Sequence, residues 1–229
     1  MELFRKIFGE FIGTFMLVFI GTGMVAFSTN PDPLTIGLAF GLSITIADYA
    51  VGHGGLSDGH FNPAVTIAMV LNKRATIKEA VFFIIAQFVG AIAASACVGG
   101  FGSALGLEAG TYGQTDFPDI SAGAAFAFET LISFLFIFVI LMVTSKKYGS
   151  KQMASIAIGL TLGFLVAIAL NLTGGSLNPA RSFGPAIFAG GSALSHYWVY
   201  LCAPILGGII AAVVAKFMGS EQGLTEQDA

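Results

Sequence analysis

Six long apolar stretches decide what this chain can fold into. They cover residues 7–27, 34–51, 80–101, 122–144, 153–172 and 197–218. Each approaches or exceeds the roughly 20 residues that cross a bilayer core of about 30 Å. A soluble chain keeps about 25% of its residues charged. Here 10% are charged and 55% hydrophobic, and the mean hydropathy is +0.85. The expectation is an all-α membrane protein with six transmembrane helices, forming a single domain over residues 1–218.

Arg5 and Lys6 precede the first apolar run, as in a signal peptide. That reading is rejected: the run is long for a signal peptide, and no clear small-residue cleavage site ends it. Cys97 and Cys202 fall inside spans without spacing partners and read as small buried hydrophobes. The segment 219–229 is polar, acidic and aperiodic, and is expected to be a disordered tail. Nine of the ten basic residues fall on one side of a six-span arrangement: Arg5, Lys6, Lys73, Arg74, Lys78, Lys146, Lys147, Lys151 and Lys216. The other side holds Asp32, Glu108, Asp116 and Asp119. Both termini should therefore be cytoplasmic, in a multi-pass protein of the cell membrane. Arg181 lies on the wrong side for a topology signal.

The chain also repeats itself. Asn62-Pro63-Ala64 returns as Asn178-Pro179-Ala180, 116 residues later, and Glu10 returns as Glu129. The two halves, about 6–101 and 122–218, hold three spans each. An odd number forces them to lie inverted in the membrane, as in many transport proteins. The segments 64–71 and 180–189 that follow each Asn-Pro-Ala are apolar but short. At 1.5 Å per residue they reach about 12–15 Å, half the bilayer core. They are expected to be two re-entrant half-helices meeting near the midplane, with Pro63 and Pro179 at the first helical position. Two helix N-termini facing one point place positive partial charge there. Asn62 and Asn178 then cap the half-helices, and their amides can face the path. A water held by both amides is badly oriented to relay a proton, and cations are repelled.

With both signatures in place, Gly-His-Phe-Asn-Pro-Ala-Val-Thr and Asn-Pro-Ala-Arg-Ser-Phe-Gly-Pro, the chain resembles the aquaporin, or major intrinsic protein, family from Glu10 to Met218. The resemblance implies a homotetramer with a pore through each subunit, passive flow of water or small neutral solutes, and no cofactor. It places a selectivity filter at Phe40, Val166, Gly175 and Arg181. There the arginine donates hydrogen bonds to the solute and repels cations. A lone arginine in a membrane segment is functional by default. Ser182 and Ala186, with Tyr197-Trp198, look closer to the water channels than to the glycerol facilitators. Val166 and Gly175 depart from the strict water channels. Gly175 should leave room beside it, so hydrogen peroxide and glycerol are expected to pass as well as water.

Glu10 and Glu129 read best as acceptors for loop backbone N–H groups, against a proton relay. His53 and His60 read as loop-packing residues, with pH sensing near the cytoplasmic mouth as the other use of both. Asp48 reads as a solvated carboxylate at a helix end, and Phe40 as the one phenylalanine on the path. A glycerol facilitator with water secondary is the alternative function. An ion channel or proton-coupled carrier is remote, since the intramembrane charge is only Glu10, Glu129 and Arg181. No nucleophile–base pair or metal-spaced cluster suggests an enzyme, and nothing points to nucleic acid.

Overall fold

Side-chain caps, rather than hydropathy, mark the starts of several helices in this chain. The computed structural model describes residues 1–52, 56–107 and 110–220. His53 and Glu108 lie outside the described residues, as do residues 221–229 of the tail. The first helix, α1 (Glu2–Phe27), starts well before its apolar stretch. In α2 (Pro33–Ala47), the Asp32 carboxylate accepts from the backbone N–H of Leu34 at 2.9 Å and Thr35 at 3.1 Å. A π-helical turn, Asp48–Gly52, continues it. The half-helix α3 (Pro63–Leu71) follows. Then α4 (Ile77–Ala104) opens with a capping box between Thr76 and Glu79, a reciprocal pairing of two otherwise orphaned donors.

The second half repeats this plan. It comprises α5 (Ala122–Val143), α6 (Lys151–Thr173), the half-helix α7 (Pro179–Ala189), a short unanticipated helix α8 (Gly191–Ser195), and α9 (Tyr197–Phe217). Among the described residues, six helices are long and apolar enough to span a membrane. The packing is paired as an inverted repeat requires. α1 packs along α4, and α5 along α9; α2 packs on its own counterpart, α6. Each half-helix also leans on the last long helix of the other half, α3 on α9 and α7 on α4.

The α2–α6 contact is set by glycine. A Cβ at Gly41 would lie 2.2 Å from the Gly159 carbonyl oxygen, and one at Gly37 2.2 Å from that of Gly163. Backbones approach this closely only where neither helix has a side chain, a common solution in membranes. The outward faces are apolar: Ile168 and Val213 are each 63% exposed. That exterior suits lipid, which is as apolar as leucine.

Three expectations change here. Cys97 is half-buried and Cys202 exposed, so they are not both core residues; in lipid an apolar side chain gains nothing by turning inward. Asp48 is not simply solvated, because Ser155 on α6 donates to its Oδ2 at 2.6 Å. Gly219 and Ser220, assigned to the tail, belong to the folded chain. Ser220 is buried, its hydroxyl donates to the Ala215 carbonyl at 2.9 Å, and its own carbonyl accepts from Arg74. Arg74 also donates to the Leu141 carbonyl and the Thr144 hydroxyl, both at 2.8 Å. Burial lowers its guanidinium to about 10, so it stays charged at neutral pH.

Candidate functional site

The two signature loops have matching local geometry. Gly59 and Gly175 hold φ of +70° and +62°, and two positions later Phe61 and Leu177 hold +49° and +54°. A left-handed conformation costs a residue with a Cβ roughly 1–2 kcal/mol. Each loop is compensated by a buried carboxylate. Glu10 accepts from the backbone N–H of His60 at 2.9 Å and Phe61 at 2.7 Å, and from the Ser57 hydroxyl at 2.5 Å. Gln87 donates to it as well, at 2.7 Å. Glu129 accepts from the N–H of Ser176 at 3.0 Å and Leu177 at 3.1 Å, and from the Thr173 hydroxyl at 2.6 Å. Both carboxylates therefore hold loops.

Asn62 and Asn178 cap α3 and α7. The Asn62 Oδ1 accepts from Ala64 N–H at 2.9 Å; that of Asn178 accepts from Ala180 at 3.0 Å and Arg181 at 3.2 Å. These bonds fix which end of each amide is the carbonyl. The Nδ2 groups then cross between the halves. Asn62 donates to the Leu177 carbonyl at 2.8 Å, and Asn178 to the Phe61 carbonyl at 2.9 Å. A side-chain amide carries two N–H donors, so one on each remains to face the path. The cross-brace was not anticipated from the sequence.

Beside the two asparagines lies a central cavity of about 10 Å³, lined also by Phe40, Val166, Ser176 and Arg181. That is room for roughly one water molecule. Arg181 is buried. Its Nη1 donates to the Gly113 carbonyl at 3.0 Å, and its guanidinium carbon sits 4.4 Å from the centre of the Phe40 ring. Among the described residues, its Nε has no partner. The arginine thus lines the cavity already braced by the Gly113 carbonyl and the Phe40 ring.

Gly175 departs from expectation. A Cβ there would meet the Val166 Cα at 3.2 Å and its Cγ1 at 3.3 Å. The space beside this glycine is filled by Val166, not open, and Ser176 takes the cavity-lining position. His60 is enclosed: it is buried, its Nδ1 lies 3.2 Å from the Thr66 hydroxyl, and its ring packs edge-on to Phe83. Phe40 is also not the only phenylalanine on the path, since Phe136 lines the same cavity with Leu17, Ile44 and Leu162. The repeat held the signal for two of these. Leu17 and Phe136 stand seven positions after Glu10 and Glu129.

Outside the cavity, the loop that carries Gly113 is pinned to the second half. Thr115 donates to the Ser182 hydroxyl at 2.9 Å, which donates to that of Ser176 at 2.6 Å. Asp116 lies 2.6 Å from the His196 Nδ1 and accepts from the Ser192 hydroxyl at 2.5 Å. His196 in turn stacks on Phe117, 4.1 Å between centres.

Comparison with known proteins agrees with this geometry. A family model described as "Major intrinsic protein" matches residues 1–215. "Glycerol uptake facilitator protein-like 6" of Lactiplantibacillus plantarum is 60% identical, over 95% of this chain and 99% of the relative. Aquaporin Z of Rhodopseudomonas palustris is 37% identical, over 95% and 94%. The X-ray structure of the aquaglyceroporin from Plasmodium falciparum superposes with a TM-score of 0.84 at 26% identity, covering 94% of this chain and 97% of that one.

Proposed function

The chain belongs to the major intrinsic protein family of membrane channels, which are not enzymes, and from that premise we propose that it conducts glycerol-sized neutral polyols together with water. The observation that carries this reading is the chemistry of the constriction. Phe40 and Val166 offer apolar surface, while Arg181 offers donors from one side. A linear polyol has the same two faces, carbons along one and hydroxyls along the other, and each finds its match. No imidazole competes for the space at Val166. The relative at 60% identity carries a glycerol name, which favours the facilitator reading over the water-channel lean drawn from Ser182 and Ala186.

A second reading is strict water passage, and the cavity volume of about 10 Å³ favours it. Stopped-flow light scattering on proteoliposomes separates the two. Glycerol entry and osmotic water flow should both exceed those of protein-free liposomes, with no ion current under voltage clamp. Val166→His, which adds bulk and polarity, should cut glycerol entry about tenfold and water far less. Glycerol entry equal to that of empty liposomes would hand the site to the water reading, and a current would remove both. Cytoplasmic termini, a homotetramer, and a single domain ending near Ser220 complete the proposal.

A further inference from the structure

We propose that the face carrying Lys73 and Lys78 holds an anionic phospholipid, its acyl chain in a groove between α3 and α4 and its headgroup on the two lysines. The groove has a volume of about 170 Å³. Ile67, Val70 and Leu71 form one wall, and Ile77, Val81 and Ile84 the other. Leu71, Ile77 and Val81 are 46%, 73% and 53% exposed, so the groove is open to the surroundings. It exists because α3 is too short to cover α4 along its length.

Two lysines flank the lining residues of the groove in the chain. Lys73 stands two residues past the end of α3, and Lys78 one turn before Val81 on α4. Both are exposed, and among the described residues neither side chain has a hydrogen bond or an ion pair. Lys73 is also held where a lysine is unfavourable. The Arg74 N–H returns to the Met69 carbonyl at 2.8 Å, and Lys73 takes φ of +59°. This is the helix-ending turn whose left-handed position usually belongs to glycine. A side chain kept there against its backbone preference points to a use for its charge.

Charge selects the occupant. Glu79, next to Lys78 in the chain, and Asp58 are both engaged by Lys6, at 3.3 and 3.1 Å. A second copy docked by this same face would bring its own Lys73 and Lys78 against these lysines. A lipid with a negative headgroup brings the opposite charge and a chain of matching polarity.

Native mass spectrometry of the full chain in detergent tests this, with phosphatidylglycerol and phosphatidylcholine of identical acyl chains. Phosphatidylglycerol should be retained preferentially. Each lysine removed should weaken that preference about fivefold. Lys73→Gly suits the left-handed backbone, so Lys73→Gly with Lys78→Gln removes both charges without endangering the fold. Val81→Trp, on the open wall, should reduce retention of both lipids. Equal retention by wild type, or an unchanged preference in the double variant, overturns the proposal. So does a Val81→Trp variant that changes oligomeric state while binding lipid normally, which would make the groove a contact between copies.

Discussion

Gly175 combines a φ of +62° with a Cβ position already occupied by Val166. Gly175→Ala should therefore lower stability by about 1–2 kcal/mol from the backbone alone, with the tight contact adding to it. Thermal melting in detergent reads this; an unchanged midpoint would mean that α6 yields there. Bulk is better restored at Val166, whose helix is unstrained. Asp116 gives a second residue-scale expectation. Burial alone would raise its carboxyl, but hydrogen bonds from Ser192, His196 and the Phe117 N–H hold it below the ordinary range. A lowered value in the folded state contributes stability above the unfolded value of about 3.9 and loses it as pH falls through the folded one. The melting difference between wild type and Asp116→Asn should be full at about pH 6 and shrink below about pH 4. A difference that persists in stronger acid would assign it to the geometry of the pair rather than to charge.

Among the elements, the two re-entrant segments show how the buried glutamates act. Glu129→Gln replaces an acceptor of three bonds by a group whose NH₂ end faces donors. With the amide oxygen kept at the Thr173 and Ser176 donors, the Leu177 N–H is left unmet at a cost of about 1–3 kcal/mol, and solute flow should fall as the loop slackens. A variant of normal stability but altered proton flux would revive the relay. The half-helices themselves were legible from short apolar runs behind Asn-Pro-Ala, because length in a membrane is a hard constraint. Boundaries were less so, since caps such as Thr76 and Asp32 set them. Phe136 and Ser176 were missed because which wall faces a pore depends on helix rotation, and in lipid the outward face is as apolar as the inward one. The filling of space beside Gly175 was invisible for a related reason: it depends on how close α6 lies to the loop, which no residue type specifies.

For the whole molecule, the proposed selectivity against ions would rest on two half-helices whose N-termini meet where Asn62 and Asn178 exchange hydrogen bonds. Their N-termini, capped by Asn62 and Asn178, sum to a positive potential, and the buried Arg181 adds a full charge. Asn178→Asp places a carboxylate at that meeting point. It should admit a cation current under voltage clamp while water flow continues. A folded variant that swells normally and stays silent would shift the whole barrier to the arginine.

The exchange of amide hydrogen bonds between the halves also orders the protein's birth. Asn62 needs the carbonyl of Leu177, which lies 115 residues downstream. At about 5–20 residues per second, translation takes on the order of ten seconds to supply it. Through that interval the first loop has its own carboxylate and its own helix but no opposite wall. The aperture is set only once the second loop has been threaded into the bilayer, so a nascent chain stalled midway has membrane helices without a conduit.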